Sequence, residues 1–274
     1  MTSKTLEIQE KSGVRFITFP HFSACGFLRH GFSTRIGGVS TGGCATMNLS
    51  FSREENRENV LENYRRFCGA IGVDPHHLVL SRQTHTNHVL GVNEQHRGVG
   101  IFAPSFQDID GLVTDRPQVA LVTQYADCTP LLFCDTRQRV IACSHSGWRG
   151  TVQQIGRVTV EKMVKEYGCN PRHIIAGIGP CIGSCCYEVD DAVYRAFQAV
   201  PTFTLEKIFT AKGGGKYMLD LVEANRQILL HAGIPEENMD ISDLCTCCEN
   251  EELFSHRATG WQRGNLALMI EMVE

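Results

Sequence analysis

Residues 111–150 read GLVTDRPQVA LVTQYADCTP LLFCDTRQRV IACSHSGWRG, and this stretch decides the fold. Gly111 to Thr114, Val119 to Thr123, Leu131 to Cys134 and Val140 to Cys143 are short β-prone runs parted by turn residues. After Gly150 the pattern changes: Val152, Ile155, Thr159, Met163, Val164 and Tyr167 recur near the 3.6-residue period until Gly168 and Pro171 stop them. Strands crowded into so short a span, with an amphipathic helix directly behind them, predict a sheet core with a helix laid on it.

Upstream, Leu78 to Leu80 and His88 to Val92 extend the set of strands. Ser52-Arg53-Glu54-Glu55 has the form of a capping box ahead of Val60, Leu61, Tyr64, Phe67, Cys68 and Ile71, which predicts a helix starting at Ser52. Val14 to Phe19 alternates as a strand does, and Gly37 to Gly43 is too rich in glycine to be anything but a loop. Downstream, His173 to Ile178 predicts a strand, Asp191 to Val200 and Asp220 to His231 predict helices, Lys212 to Lys216 a hairpin, and Leu266 to Ile270 a closing strand. Strict βαβ alternation is missing. The expectation is therefore a single α+β domain over residues 1–274, with a mixed or antiparallel sheet core covered by helices.

With 26 Lys+Arg against 30 Asp+Glu, the formal charge of −4 offers no basic footprint for nucleic acid. Apolar runs such as Val119 to Val122 fall far short of the ~20 residues of a membrane span. Met1 to Glu7 has no apolar h-region, so a cytoplasmic protein with reduced thiols is expected. The 13 cysteines are odd in number and scattered, which argues against a disulfide framework and for small buried hydrophobes.

Three polar segments end apolar strands: Ser81 to His85, Ala126 to Pro130 and Ser144 to Gly150. They offer His85, Cys128 and His145, an N₂S set that suits Zn²⁺ and leaves a fourth vertex for water or substrate. The spacing matches no short metal motif, so a strand-end histidine and a buried thiol remain open alternatives. Arg149, beside two glycines at an expected helix start, and Arg35, in a mobile loop, are candidate anion binders. Cys181, Cys185 and Cys186, and likewise Cys245, Cys247 and Cys248, give at most three thiols per cluster; a Cys₄ site would need both clusters pooled, against their irregular spacing.

The chain also resembles the laccase-domain family, known first as multicopper polyphenol oxidases and now as purine nucleoside phosphorylases. The matching segments, in order, are His30 to Ser40, Gln83 to His85, Asp110 to Thr114, Ala126 to Cys128, His145 to Thr151, Gly179 to Gly183, Cys186 to Val189 and Phe254 to Arg257. The resemblance implies a metal site at His85, Cys128 and His145, with zinc as the usual ion and copper as a possible substitute. It implies phosphorolysis of adenosine, inosine and methylthioadenosine to free base and ribose-1-phosphate or its 5-methylthio analogue, with adenosine deamination as a further activity. Ser146 stands where the family usually has alanine, and Arg263-Gly264-Asn265-Leu266 matches the family's ending only loosely.

For that chemistry Arg35 and Arg149 would orient phosphate, Cys128 and His145 would act with the metal on base or nucleophile, and Asp127 would orient a ligand imidazole or accept a ribose hydroxyl. The absence of any His-x-His argues against a multicopper oxidase as the main activity, leaving weak copper oxidase activity as a minor one. The usual nucleobase-deaminase signature is also absent, since there is no His-x-Glu. Two rivals remain: a metal-free hydrolase with Cys128 as nucleophile and His145 as base, and a structural zinc protein with no substrate. The expected partners are purine nucleosides and phosphate, with no nucleic acid and no membrane; oligomeric state stays open.

Overall fold

The expected strands form, and nearly every residue in them is buried, because both faces of the sheets are covered. The computed structural model describes residues 1–273. A seven-stranded sheet runs in the order Glu7–Lys11, Val14–Thr18, Leu28–Ser33, Leu266–Met272, Ala120–Tyr125, Leu78–Arg82, Phe106–Gln107. A six-stranded sheet runs Met239–Ile241, Ile174–Ile178, Thr129–Asp135, Val140–Ser146, Gly111–Thr114, Val89–Gly91. Most pairings are antiparallel, but Leu78–Arg82 pairs parallel with both of its neighbours, and Val89–Gly91 and Met239–Ile241 pair parallel at the edges of the second sheet. The sheets are therefore mixed, and the fold is α+β.

Side-chain alternation sorts each strand between two cores. Leu121, Leu268 and Ile270 of the first sheet meet Leu132, Cys134, Ile141 and Cys143 of the second in a common core. Their strand neighbours Ala120, Val122, Ala267 and Met269 face outward against Val60, Tyr64 and Phe67 of the helix Arg57–Ile71. On the far side Leu131, Phe133, Val140 and Ala142 pack against Ile155, Val160, Met163 and Leu229. The result is helix, sheet, sheet, helix. A third sheet, Glu188–Asp190, Lys216–Leu219 and Phe209–Gly213, closes a smaller core with the helix Asp191–Gln198. No helix among the described residues is long and apolar enough to cross a membrane.

Two helix boundaries differ from expectation. The helix expected from Ser52 begins at Arg57, where the Asn56 side chain accepts from the Glu58 N–H, and ends at left-handed Gly72; a short helix, Pro20–Ser23, precedes it. Ser52 to Glu55 stays outside the helix, with the Glu54 carboxylate accepting from Asn59 and Asn48, because Asn56 takes the N-cap position. The helix expected from Gly150 is two pieces, Trp148–Val152 and Ile155–Tyr167, broken at Gln154 with φ of 56°. The break lets Gly156 close onto Leu131 and Leu229, where a Cβ would come within 3.2 Å of each. The hairpin at Lys212 to Lys216 forms as expected, and Asp220 caps the helix Leu221–His231 through the Glu223 N–H.

His30, buried between the rings of Phe19 and Phe22, accepts the Phe19 N–H at 2.9 Å through Nε2. Burial holds its imidazole down at about 4 from an ordinary 6.5. In the unfolded chain His30 protonates as pH falls through 6.5 while the folded chain resists, so the unfolded state binds more protons and stability declines as the pH falls. Denaturant unfolding of the wild type from pH 7 to pH 4 is expected to lose about 3 kcal/mol that a His30→Gln variant, whose carbonyl can still accept the N–H, does not lose. Parallel pH profiles for the two proteins would refute it.

Candidate metal centre and pocket

His85 sits just beyond the strand Leu78–Arg82, Cys128 just ahead of Thr129–Asp135, and His145 near the end of Val140–Ser146. Their donor atoms lie within 4.8 Å of one another. Cys128 Sγ is 3.8 Å from His85 Nε2, and the two imidazole rings meet edge to face at 4.9 Å. Around tetrahedral zinc, ligand distances of about 2.0–2.3 Å place donors roughly 3.3–3.8 Å apart, so small side-chain adjustments close this set on one ion. Gly147 is what allows the approach: a Cβ there would stand 2.8 Å from Cys128 Sγ and 2.9 Å from His85 Cδ2.

Asp110 organises the centre, a role that its place in the sequence does not signal. Fully buried ahead of Gly111–Thr114, it accepts the N–H groups of Thr84, His85 and Thr86 at 2.9–3.0 Å and the Thr86 hydroxyl at 2.9 Å. That grip holds His85 in a left-handed backbone conformation, φ 66°. The same carboxylate lies 2.8 Å from His145 Nδ1, which leaves His145 Nε2 for the ion, and its backbone carbonyl accepts the His145 N–H at 2.7 Å. Burial works against the charge, but His145 and the three N–H groups outweigh it and hold the carboxyl at about 2.

Burial likewise opposes ionisation of Cys128, yet His145 and His85 prevail and bring its thiol down to about 6. Burial pulls the His145 imidazole down, while Cys128 and Asp110 push it up to about 9. The two form a thiolate–imidazolium pair, so the sulfur is already in its metal-binding state and His145 must release a proton when an ion arrives.

Asp127 makes its side-chain contacts away from the two imidazoles. It too is left-handed, φ 86°, but its oxygens accept from the Thr246 hydroxyl and the Arg257 N–H, each at 2.6 Å, and its carbonyl accepts the Ile182 N–H. It fastens the segments around 182 and 246–257 beside Cys128; the imidazole is oriented by Asp110 instead. Ser146, at the position where alanine is usual, buries its hydroxyl against Asn225 Oδ1 at 2.8 Å and Thr151 Oγ1 at 3.0 Å, which satisfies the extra polar group.

All three candidate ligands line a pocket of about 470 Å³. Its wall includes Arg53, Arg263, Ser81 and Gln124. The two anion candidates named from sequence are not among its lining residues. Arg35 donates from Nε to the Ala45 carbonyl and from a terminal nitrogen to that of Asn250, and it packs on Phe254. Arg149 lies exposed over the Trp148 ring. The pocket instead is lined by three arginines, Arg53, Arg82 and Arg263, with no carboxylate in ion-pair range among the described residues; the Nε of Arg53 and of Arg263 is buried and unpartnered. Burial brings Arg263 down to about 10, still charged at neutral pH. The only sequence signal for it was a lone arginine before Gly264, whose Cβ would strike Asn48 and Phe254 at 2.8 Å.

The two cysteine clusters do pool, against expectation. Cys185, Cys186, Cys245 and Cys248 bring their sulfurs within 4.8 Å of one another. Among the described residues these four and the His85, Cys128, His145 set are the groups compact enough to hold a metal, so ligands for a multicopper cluster are not assembled.

Comparison with known proteins agrees with this architecture. A family model described as multi-copper polyphenol oxidoreductase laccase matches residues 29–273. The purine nucleoside phosphorylase YlmD of Bacillus subtilis is 36% identical over 247 residues, 89% of this chain and 88% of that protein. A protein named adenosine deaminase RL5, from an unknown prokaryotic organism, is 35% identical over 196 residues, 71% of this chain and 74% of its own length. The crystal structure of the hypothetical protein YfiH from Bacillus licheniformis superimposes with a TM-score of 0.92 at 32% identity, covering 97% of this chain and 98% of that one. By sequence and by fold, the chain belongs to the multi-copper polyphenol oxidoreductase laccase family.

Proposed function

We propose that residues 1–274 act as one zinc-dependent purine nucleoside phosphorylase, which cleaves adenosine, inosine and methylthioadenosine with inorganic phosphate. The observation that carries this reading is a His₂Cys set opening onto a pocket that also contains two arginines, Arg53 and Arg263, each with a buried, unpartnered Nε. A pocket of about 470 Å³ suits a nucleoside with phosphate. The relatives named for nucleoside chemistry point the same way. Thirteen free thiols suit a reducing compartment, and we place the protein in the cytoplasm.

In phosphorolysis a phosphate oxygen bonds to the ribose C1′ as the C1′–N9 bond breaks, and the departing purine takes a proton. Arg53 and Arg263, rather than Arg35 and Arg149, bind and orient the phosphate and offset the charge it brings to C1′. The buried, unpartnered Ser81 hydroxyl donates to phosphate or ribose. His85, Cys128 and His145 would hold the ion, which when bound supplies Lewis-acidic positive charge at the reacting centre. Asp110 keeps His145 turned toward that centre, and Asp127 fixes the loop carrying Cys128. Cu²⁺ competes for the same donors and would give only a weak oxidase activity. The relative named adenosine deaminase favours deamination of adenosine at the same centre as a second activity.

A different enzyme class is favoured by one observation, the thiolate–imidazolium pair of Cys128 and His145, which is also the resting state of a cysteine hydrolase. Incubation with inosine, adenosine or methylthioadenosine, with and without phosphate and chelator, separates the readings. Phosphorolysis gives free base and sugar phosphate only with phosphate and metal; a cysteine hydrolase persists under chelation. No release of base from any nucleoside would overturn the proposal. For the anion site, Arg263→Ala is expected to raise the phosphate KM at least about tenfold with metal content intact, whereas Arg149→Ala and Arg35→Ala change it less than about twofold.

A further inference from the structure

The Cys185, Cys186, Cys245, Cys248 cluster lies on two turns that the fold brings side by side. In one, the Cys186 and Tyr187 N–H groups close onto the Gly183 carbonyl at 2.9 and 3.0 Å. In the other, the Glu249 N–H closes onto the Cys245 carbonyl at 2.9 Å, which curls Cys245-Thr246-Cys247-Cys248 into a Cys-x-x-Cys turn. A parallel bridge between Cys181 and Cys245 and the bond from the Thr246 N–H to the Cys181 carbonyl at 3.0 Å set the turns together. Each turn contributes two thiols to one point.

Cys248 Sγ stands 3.5 Å from both Cys185 Sγ and Cys186 Sγ, and all four sulfurs lie within 4.8 Å. Four thiolates around tetrahedral zinc, at Zn–S of about 2.3 Å, lie roughly 3.8 Å apart. A disulfide would select one partner for Cys248 and draw it in to about 2.05 Å. Here two sulfurs share it equally. The Gly183 N–H donates to Cys245 Sγ at 3.1 Å, the kind of bond that stabilises a metal-bound thiolate, and Arg257 places its guanidinium beside the cluster by donating to the Cys186 carbonyl at 2.8 Å. Cys185 and Cys248 are exposed, so an ion can reach the site from solvent.

We propose that Cys185, Cys186, Cys245 and Cys248 form a tetrathiolate site for a single zinc ion, separate from the His85, Cys128, His145 centre. Loading it exchanges four thiol protons for one Zn²⁺, and all four positions are filled by protein, so this ion is a structural clip and takes no substrate. What it clips is informative: the same two segments are tied to Asp127, next to Cys128, through the Ile182 N–H and the Thr246 hydroxyl. The clip braces the loop that presents the catalytic-centre thiol.

The test is zinc stoichiometry of the full chain, purified under reductant, loaded with ZnCl₂ and desalted. Two zinc ions per chain are expected for the wild type and one for the Cys185→Ser/Cys248→Ser double variant. A His85→Ala/Cys128→Ala variant is also expected to retain one, so failure of the first centre and failure of the clip are told apart. Should the serine variant not fold, Co²⁺ loading of Cys128→Ala reports directly. With the first centre's thiol gone, intense sulfur-to-cobalt charge transfer and tetrahedral d–d bands can arise only from the cluster. Equal zinc content in the wild type and the serine variant, a Cys128→Ala cobalt spectrum lacking those bands, or a Cys185–Cys248 disulfide persisting under reductant would each overturn the proposal.

Discussion

Cys128→Ala is expected to lose on the order of 10³-fold or more in kcat/KM for nucleoside phosphorolysis, together with one equivalent of metal. The size follows from what the substitution removes. A Lewis-acidic ion contributes several kcal/mol at the transition state, and each 1.4 kcal/mol is tenfold in rate. Cys128 is the only charged ligand of its set, so the remaining His85 and His145 hold a dication much more weakly. The fold is expected to survive, because Cys128 lies in a turn between two strands whose pairing does not depend on its sulfur. Metal analysis, circular dichroism and base release measured on one preparation check this. A variant that loses the metal and keeps its activity would show that the centre is not where the chemistry occurs, and would favour neither phosphorolysis at the ion nor hydrolysis by the thiol.

Asp110→Asn should be nearly as damaging, although Asp110 is not a candidate ligand. Its buried carboxylate accepts three backbone N–H groups and a hydroxyl and pairs with the His145 ring. An asparagine of the same shape turns two donors into that ring of donors. Removing one partner of a buried, hydrogen-bonded ion pair costs about 3–5 kcal/mol, or roughly 10 °C in Tm for a domain of this size. Zinc affinity is expected to fall about 10–100-fold, since the His145 ring loses the partner that fixes its orientation. Thermal unfolding of metal-free protein reads the first effect and competition with a chromophoric chelator reads the second. Wild-type zinc affinity in Asp110→Asn would show that the loop and the ring are held by something else.

Part of this organisation was legible in the residues. The apolar runs Val119 to Thr123, Leu131 to Cys134 and Val140 to Cys143 marked strands because side chains on both faces had to be buried. That same property hid which face was which: Leu132 and Leu131 look alike in sequence, yet one enters the core between the sheets and the other the core beneath the helices. The helix starts five residues after Ser52 because a capping-box pattern is local and a second capping residue, Asn56, lies close behind it and accepts the Glu58 N–H. Among site residues, His85, Cys128 and His145 were visible by donor chemistry. Asp110 was not, since a carboxylate before an apolar strand looks like any turn residue until the backbone of Thr84 to Thr86 wraps around it.

The arginines teach the same lesson from the other side. Arg35 and Arg149 were attractive because glycines surround them, but glycine neighbours say only that the backbone can bend. Arg263 has little to recommend it in sequence, yet its side chain is buried at the pocket with no carboxylate in ion-pair range.

Local chemistry, then, was decided by the order of residues alone: where most strands and helices arise, and which side chains can bind a metal. Convergence was decided only by the folded chain. His85 and Cys128 meet across two strands of one sheet and the turns at their ends, and Cys181 and Cys245 are joined by a bridge that no spacing foretells. The physical reason is that donor type is a property of one side chain, whereas a binding site is a distance between several. Those distances are set by pairing register and by the packing of both sheets, which involve nearly every buried residue at once.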